Sequence, residues 1–234
     1  MLPILQADLL KVKRKWFWLL VFLGPFGVIG LQVVNYGVRY EWITSRTDDQ
    51  WATLIQSVNM FVAPALLLGM AILASQIASI EHKETAWKQL LALPVKRRDV
   101  YISKFIITSG MIFISALLLC IGTVVLGIGL GFGWNFSVSD ILKNSFYPFF
   151  AALPVLALQL WMSIVQKNQA GPLAIGIFGA VFSTYAHLAP NWLIWKWPLL
   201  YPGKDPLPYV GLGVLVGAVI LLAGVMDFRR RDVA

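Results

Sequence analysis

Residues 105–132, FIITSGMIFISALLLCIGTVVLGIGLGF, carry no charged side chain. That run exceeds the roughly 20 apolar residues a helix needs to cross a bilayer. Five further apolar stretches recur along the chain, separated by short polar segments. In hydrocarbon every backbone N–H and C=O must be satisfied within the spanning structure, which makes helices the expected element. The fold class expected is all-α: a polytopic membrane protein of six transmembrane helices. They fall at about Trp16–Asn35, Ser57–Ile80, Tyr101–Leu130, Phe146–Val165, Leu173–Leu188 and Pro208–Phe228. The third is long enough to tilt or to reach beyond the bilayer. Pro148, Pro154 and Pro172 interrupt or begin the fourth and fifth, which is tolerable where neighbouring helices satisfy the freed carbonyls. With 59% hydrophobic residues and a mean hydropathy of +0.75, composition agrees. The 234 residues read as a single membrane domain, 1–234, so a nucleotide-binding or catalytic module would have to come from another chain.

Charge sets the expected orientation. A net charge of +8 suggests nucleic acid at first sight, but the bases flank the apolar runs, as membrane topology demands. With both termini placed inside, only Arg39, Arg46, Lys143, Lys196 and Lys204 of the 19 Lys and Arg residues fall outside. Trp16, Trp18, Trp42, Trp51, Trp134, Trp192, Trp195 and Trp197 lie near expected interfaces. Asp8 and the long first run argue against a cleavable leader. Ahead of the first span, Leu2, Leu5, Leu9, Val12 and Trp16 recur every three or four residues, with Asp8, Lys11 and Lys15 on other faces. This is the pattern of a helix lying on the inner leaflet, apolar side down.

Catalytic chemistry finds few candidates. Cys120 is the only cysteine and sits in an apolar run, which excludes an internal disulfide and a cysteine metal site. His82 and His187 are far apart, and no HExxH, Gly-x-Ser-x-Gly or Walker A pattern occurs. The spans hold no charge at mid-depth, where ion-driven carriers place titrating groups; Asp227 lies at a span end beside Arg229 to Arg231. Asn59, Ser75, Gln76, Ser109, Ser115, Thr123, Gln159, Ser163, Ser183 and Thr184 suit interhelical hydrogen bonds or a substrate path. Glycines 127, 129, 131 and 133, and the pair Gly213 and Gly217, read as small-xxx-small packing motifs.

Between the second and third runs lies 81-EHKETAWKQLLALPVKRRDVYISK-104. Trp87, Leu90 and Leu91 form one stripe of a short helix that Pro94 ends, and Asp99 can cap the helix that follows. A simple hairpin would need only a few residues here. Two readings fit this amphipathic insert: a helix anchored on anionic lipid, or a knob presented to a cytoplasmic partner.

Glu81, Thr85, Leu90, Leu91, Pro94, Arg97 and Lys104 follow the pattern E-x3-T-x4-L-L-x2-P-x2-R-x6-K. That order resembles the segment between the second and third spans of type-2 ABC exporter permeases, the lantibiotic-immunity and bacitracin-type peptide transporters in particular. The six-span layout, surface helix and basic C-terminal tail extend the resemblance over the whole chain. It implies that the insert is a coupling helix gripped by a separate cytoplasmic ABC ATPase dimer, with Glu81, Glu84, Thr85, Trp87, Leu90, Leu91, Pro94 and Arg97 as the ATPase-coupling residues. Glu81 and Glu84 would pair with bases on that subunit, although Glu84 stands where many members carry glycine. Trp87, Leu90 and Leu91 would fill its groove or pack on the membrane-side core, and Pro94 would set the return.

The resemblance further implies a second permease, identical or homologous, with ATP and Mg bound by the partner ATPase and no cofactor on this chain. The setting implied is a bacterial plasma membrane with both termini cytoplasmic. The cargo implied is an amphiphilic peptide antibiotic, expelled for self-protection. Export of another small molecule or ion, or a non-transporting scaffold or sensor partner, are the alternatives.

Overall fold

The computed structural model describes residues 2–13, 16–83, 96–200 and 205–230. Those residues form eight α-helices: α1 (Leu2–Lys13), α2 (Phe17–Thr44), α3 (Gln50–Lys83), α4 (Arg97–Gly129), α5 (Val138–Ala151), α6 (Leu153–Val165), α7 (Ala170–Thr184) and α8 (Leu207–Arg230). A 3-10 turn, Ala186–Leu188, follows α7. No strand occurs among the described residues.

Helices α2, α3, α4 and α8 are each long and apolar enough to cross a membrane. The expected fourth span differs from its sequence reading. It starts at Val138 and consists of two helices, α5 and α6, bent by 41° between Ala151 and Leu153. Pro154 explains the break, since a proline in the first turn of α6 lacks the N–H that an unbroken helix would use. The Ala152 N–H turns back to the Pro148 carbonyl at 2.9 Å. Counted as one span, the bent pair is a fifth. The fifth run of the sequence forms α7, whose 15 residues reach about 22 Å at 1.5 Å per residue. That is short of a hydrocarbon core of about 30 Å.

Conversely, α3 with 34 residues and α4 with 33 measure about 50 Å each. Both outrun the membrane, as expected for the long third run. Helix α2 also continues past its apolar segment to Thr44, with non-helical backbone at Arg39.

Helix α3 is the axis of the bundle. It packs on α2, α4, α5, α6 and α7, and half of its apolar window is buried. Leu67, Met70, Leu73 and Ile77 on α3 meet Val21, Met111 and Leu156 in one apolar cluster, while Leu54 and Val58 join Tyr36, Trp51 and Leu126 in another. Lipid tails are as apolar as leucine, so close fit and interhelical hydrogen bonds supply the specificity. Gln32 Nε2 donates to the Ser57 carbonyl at 2.8 Å, Asn59 Nδ2 to Asn144 Oδ1 at 2.7 Å, and Gln159 Nε2 to the Pro172 carbonyl at 2.6 Å. These contacts account for Asn59 and Gln159 as packing residues.

The glycines divide between two uses. A Cβ on Gly213 would lie 2.5 Å from the Phe150 carbonyl oxygen and 2.6 Å from Ala151 Cα. One on Gly217 would lie 2.9 Å from Leu153 Cβ. Helix α8 is therefore notched where α5 bends into α6. The glycines after 127 behave differently from their sequence reading: Gly131 and Gly133 have φ of 84° and 77° and form a turn. Gly127 alone makes room, for the ring of Trp51. Trp51 is thus buried, its Nε1 donating to the Phe132 carbonyl at 3.1 Å, and Trp197 is likewise buried with Nε1 on the Asn191 carbonyl. Trp16, Trp42, Trp134 and Trp192 are exposed, as an interfacial belt requires.

Candidate functional site

One end of the bundle gathers α1, the C-terminus of α3, the N-terminus of α4, the α6–α7 junction and the C-terminus of α8. The basic residues concentrate here. The first contributor is α1, which turns into α2 at Trp16, a residue with φ of 57°. Its packed face differs from the sequence reading. Val12 and Asp8 turn inward onto the bundle, with Asp8 5% exposed, while Leu9 is 46% exposed. The reason lies on α4, where Ser103 Oγ donates to Asp8 Oδ2 at 2.9 Å and Lys104 Nζ stands 3.7 Å from Asp8 Oδ1. A carboxylate with such partners is cheaper to bury than one without.

Glu81 completes the cluster from α3. It is fully buried, with Oε1 accepting from Lys11 Nζ at 2.8 Å and from Lys104 Nζ at 3.0 Å. Lys104 is itself 2% exposed, whereas Lys11 is part-exposed at the rim. Two carboxylates therefore face two ammonium groups, formally neutral in sum, on three different helices. Glu81 pairs within this chain rather than projecting outward as the resemblance implied.

Neighbouring contacts tie in the remaining helices. His82 Nε2 lies 3.2 Å from the Ser163 carbonyl of α6, which can only accept, so that nitrogen carries the proton. Trp161 Nε1 donates to Asp227 Oδ2 at 2.9 Å, joining α6 to α8. Asp227 is thus a bonded, half-buried group and not simply a solvated one. Arg97 Nη1 reaches the Arg229 carbonyl at 3.5 Å. At the start of α4 the cap position belongs to Lys96, and Asp99 lies in the first turn, ion-paired with Arg98 at 3.1 Å. The capping expected of Asp99 is replaced by a favourable place near the helix N-terminus.

Of the residues assigned to coupling, Glu81 and Arg97 stand at the two roots of the insert, in separate contacts. Glu84, Thr85, Trp87, Leu90, Leu91 and Pro94 lie outside the described residues. Sequence reasoning missed Asp8, Lys11 and Ser103 as partners of Glu81 and Lys104. The signal was periodicity. Glu81 follows the buried Ala74, Ile77 and Ala78 at i+7, i+4 and i+3, and Lys104 follows Val100 and Tyr101 in the same way.

Among the described residues no three His, Cys, Asp or Glu side chains converge as a metal site would require. A cavity of about 50 Å³ lies among α2, α3 and α4, lined by Leu20, Pro25, Leu66, Ile112 and Leu119. It is far below the several hundred Å³ of a typical ligand pocket. A wider groove of about 610 Å³ runs between α2 and α3 at the opposite end, lined by Asn35, Arg39, Trp42, Ser57 and Met60.

The family described as ABC-2 family transporter protein matches residues 4–183, from α1 through nearly all of α7. No curated protein and no solved structure matches the chain. The matched region takes in α1, the charged cluster and both roots of the insert. It extends over far more than half of the 234 residues and rests on helices apolar enough to cross a membrane. The chain belongs to the ABC-2 family of transporter proteins, the membrane components that work with an ABC ATPase subunit.

Proposed function

We propose that the chain is the permease of an ATP-driven exporter, and that the insert between Glu81 and Arg97 is where the ATPase takes hold. The observation that carries this reading is the length of α3 and α4. At about 50 Å each they run unbroken from the opposite end of the bundle to Lys83 and from Arg97 back again, so they serve as stiff arms that join the insert to the bundle interior. ATP-driven closure of an ATPase dimer would push on the insert, and the arms would carry that displacement into the α3-centred bundle.

In this reading the basic end faces the cytoplasm of a bacterium, which the excess of Lys and Arg favours. The bent α5–α6 pair is one span, and α7 with the turn Ala186–Leu188 is the remaining one, giving six. A second permease, identical or homologous, completes the translocation path. The cargo is an amphiphilic peptide of the antibiotic kind, entering from the membrane. ATP and Mg are bound by the partner subunit.

The test is association. Trp87→Ala with Leu91→Ala removes the insert's apolar stripe, and truncating two such anchors is expected to weaken copurification of a P-loop ATPase at least about tenfold. Insertion and yield of the variant should match wild type. Undiminished ATPase binding and substrate-stimulated hydrolysis in the double variant would refute the assignment of this segment.

A further inference from the structure

We infer that Glu81 and Lys104 are positioning residues that lock the base of the insert, and the N-terminal helix with it, into one body. The inference rests on the permease reading above and names the residues through which that reading works. Glu81 lies two residues before the end of α3, and Lys104 lies seven residues into α4. Their bond of 3.0 Å therefore closes the hairpin below the insert. Neither is available to an ATPase, since both side chains are at least nine-tenths buried.

The same two residues recruit α1. Lys11 bonds Glu81 at 2.8 Å, and Asp8 is held by Ser103 at 2.9 Å with Lys104 at 3.7 Å. Apolar contacts fix little by themselves at a membrane, because Val12 against Ile77 is nearly interchangeable with Val12 against a lipid chain. Charge-assisted hydrogen bonds are directional, and sliding α1 by half a turn would take the buried Asp8 carboxylate away from Ser103 and Lys104. Relative motion of α1, α3 and α4 is thereby suppressed at this end. Force applied to the insert is delivered to three helices together, α1 included.

A purely structural pair and a positioning pair can be separated. Glu81→Gln with Lys104→Met removes one charge of each sign, leaves Asp8 beside Lys11, and strands no ion, so folding and insertion should persist. Two readouts are taken in the full chain in membranes, in a Cys120→Ala background. The first is maleimide labelling of Val12→Cys, with Gln6→Cys, at an exposed polar position of α1, as the control labelled in every form. Breaking the lock should raise Val12→Cys labelling at least about tenfold, through local opening of α1. The second is hydrolysis by the copurified ATPase. Permease-dependent stimulation should fall about fivefold or more in kcat with KM for ATP unchanged, because the nucleotide sites are untouched.

A double variant in which Val12→Cys stays closed overturns the lock. One that opens there and yet stimulates hydrolysis fully overturns the positioning role. A wild-type chain that neither binds nor stimulates an ATPase refutes the permease reading and the positioning role with it, while the labelling still decides the lock.

Discussion

Gly211 and Gly213 both lie within the first two turns of α8 and differ in what faces them, so the same substitution at each isolates the notch that seats α8 on the α5–α6 bend. Alanine is favoured over glycine in a helix interior by about 0.8–1.0 kcal/mol. At Gly211 nothing lies within 4 Å of an added Cβ, so this gain should appear undiminished. At Gly213 the added Cβ falls 2.5 Å from the Phe150 oxygen and 2.6 Å from Ala151 Cα. That is about 1 Å inside ordinary contact, and against backbone atoms that cannot rotate away. Overpacking of this kind costs about 1–3 kcal/mol. The propensity gain is common to both variants and cancels, leaving Gly213→Ala less stable than Gly211→Ala by that amount. For a chain of this size the difference corresponds to about 2–12 °C in Tm. Thermal unfolding of the purified protein in one detergent, followed by loss of the monodisperse species on gel filtration, measures it. Equal melting temperatures, or a higher one for Gly213→Ala, would show that α8 is not seated on the bend and would refute the packing argument.

Two further outcomes test other joints. In a double-mutant cycle with Asn59→Leu and Asn144→Leu, the 2.7 Å bond between α3 and α5 should give a coupling energy of about 0.6 kcal/mol, and at most about 1.7, by the same melting assay. Gly131→Ala, at φ 84° and with open space around it, should lower stability by about 1–2 kcal/mol from backbone strain alone. Gly129→Ala, in α4 and equally uncrowded, should not destabilise.

Helix identity was legible in the sequence because a long apolar run in a bilayer has no other structure open to it. Helix ends were less so, and the reason is physical: hydropathy marks the part of a helix that lies in hydrocarbon, not the part that is helical. Helix α2 runs on to Thr44, past the kink at Arg39, and α3 starts at Gln50, seven residues before its apolar window suggests. The bend at Ala152 was half legible. Pro148 and Pro154 announce an interruption, but the 41° angle also depends on Gly213 and Gly217, some sixty residues on, admitting the bent backbone at close range. Gly131 and Gly133 were misread because a turn and a packing motif use the same residue type.

The buried charges illustrate a different limit. Glu81 and Lys104 each extend an apolar stripe of their own helix by one turn, so the inward position of both is written in local spacing, and Asp8, set apart from Leu5, Leu9 and Val12 by the sequence pattern, joins them on the inward face. Opposite signs on those stripes, together with Lys11, sum to zero, which is the condition a buried cluster must meet. Antiparallel α3 and α4, joined by the insert, must also bring Glu81 and Lys104 to similar depth. What spacing cannot supply is the azimuth of α1, because a surface helix can lie against several neighbours with equal apolar gain. Ser103 and Lys104 remove that freedom by offering Asp8 partners at one orientation only, and Glu81 does the same for Lys11. The polar contacts thus decide where an otherwise amphipathic helix docks, and they do so beside the segment through which an ATPase would act.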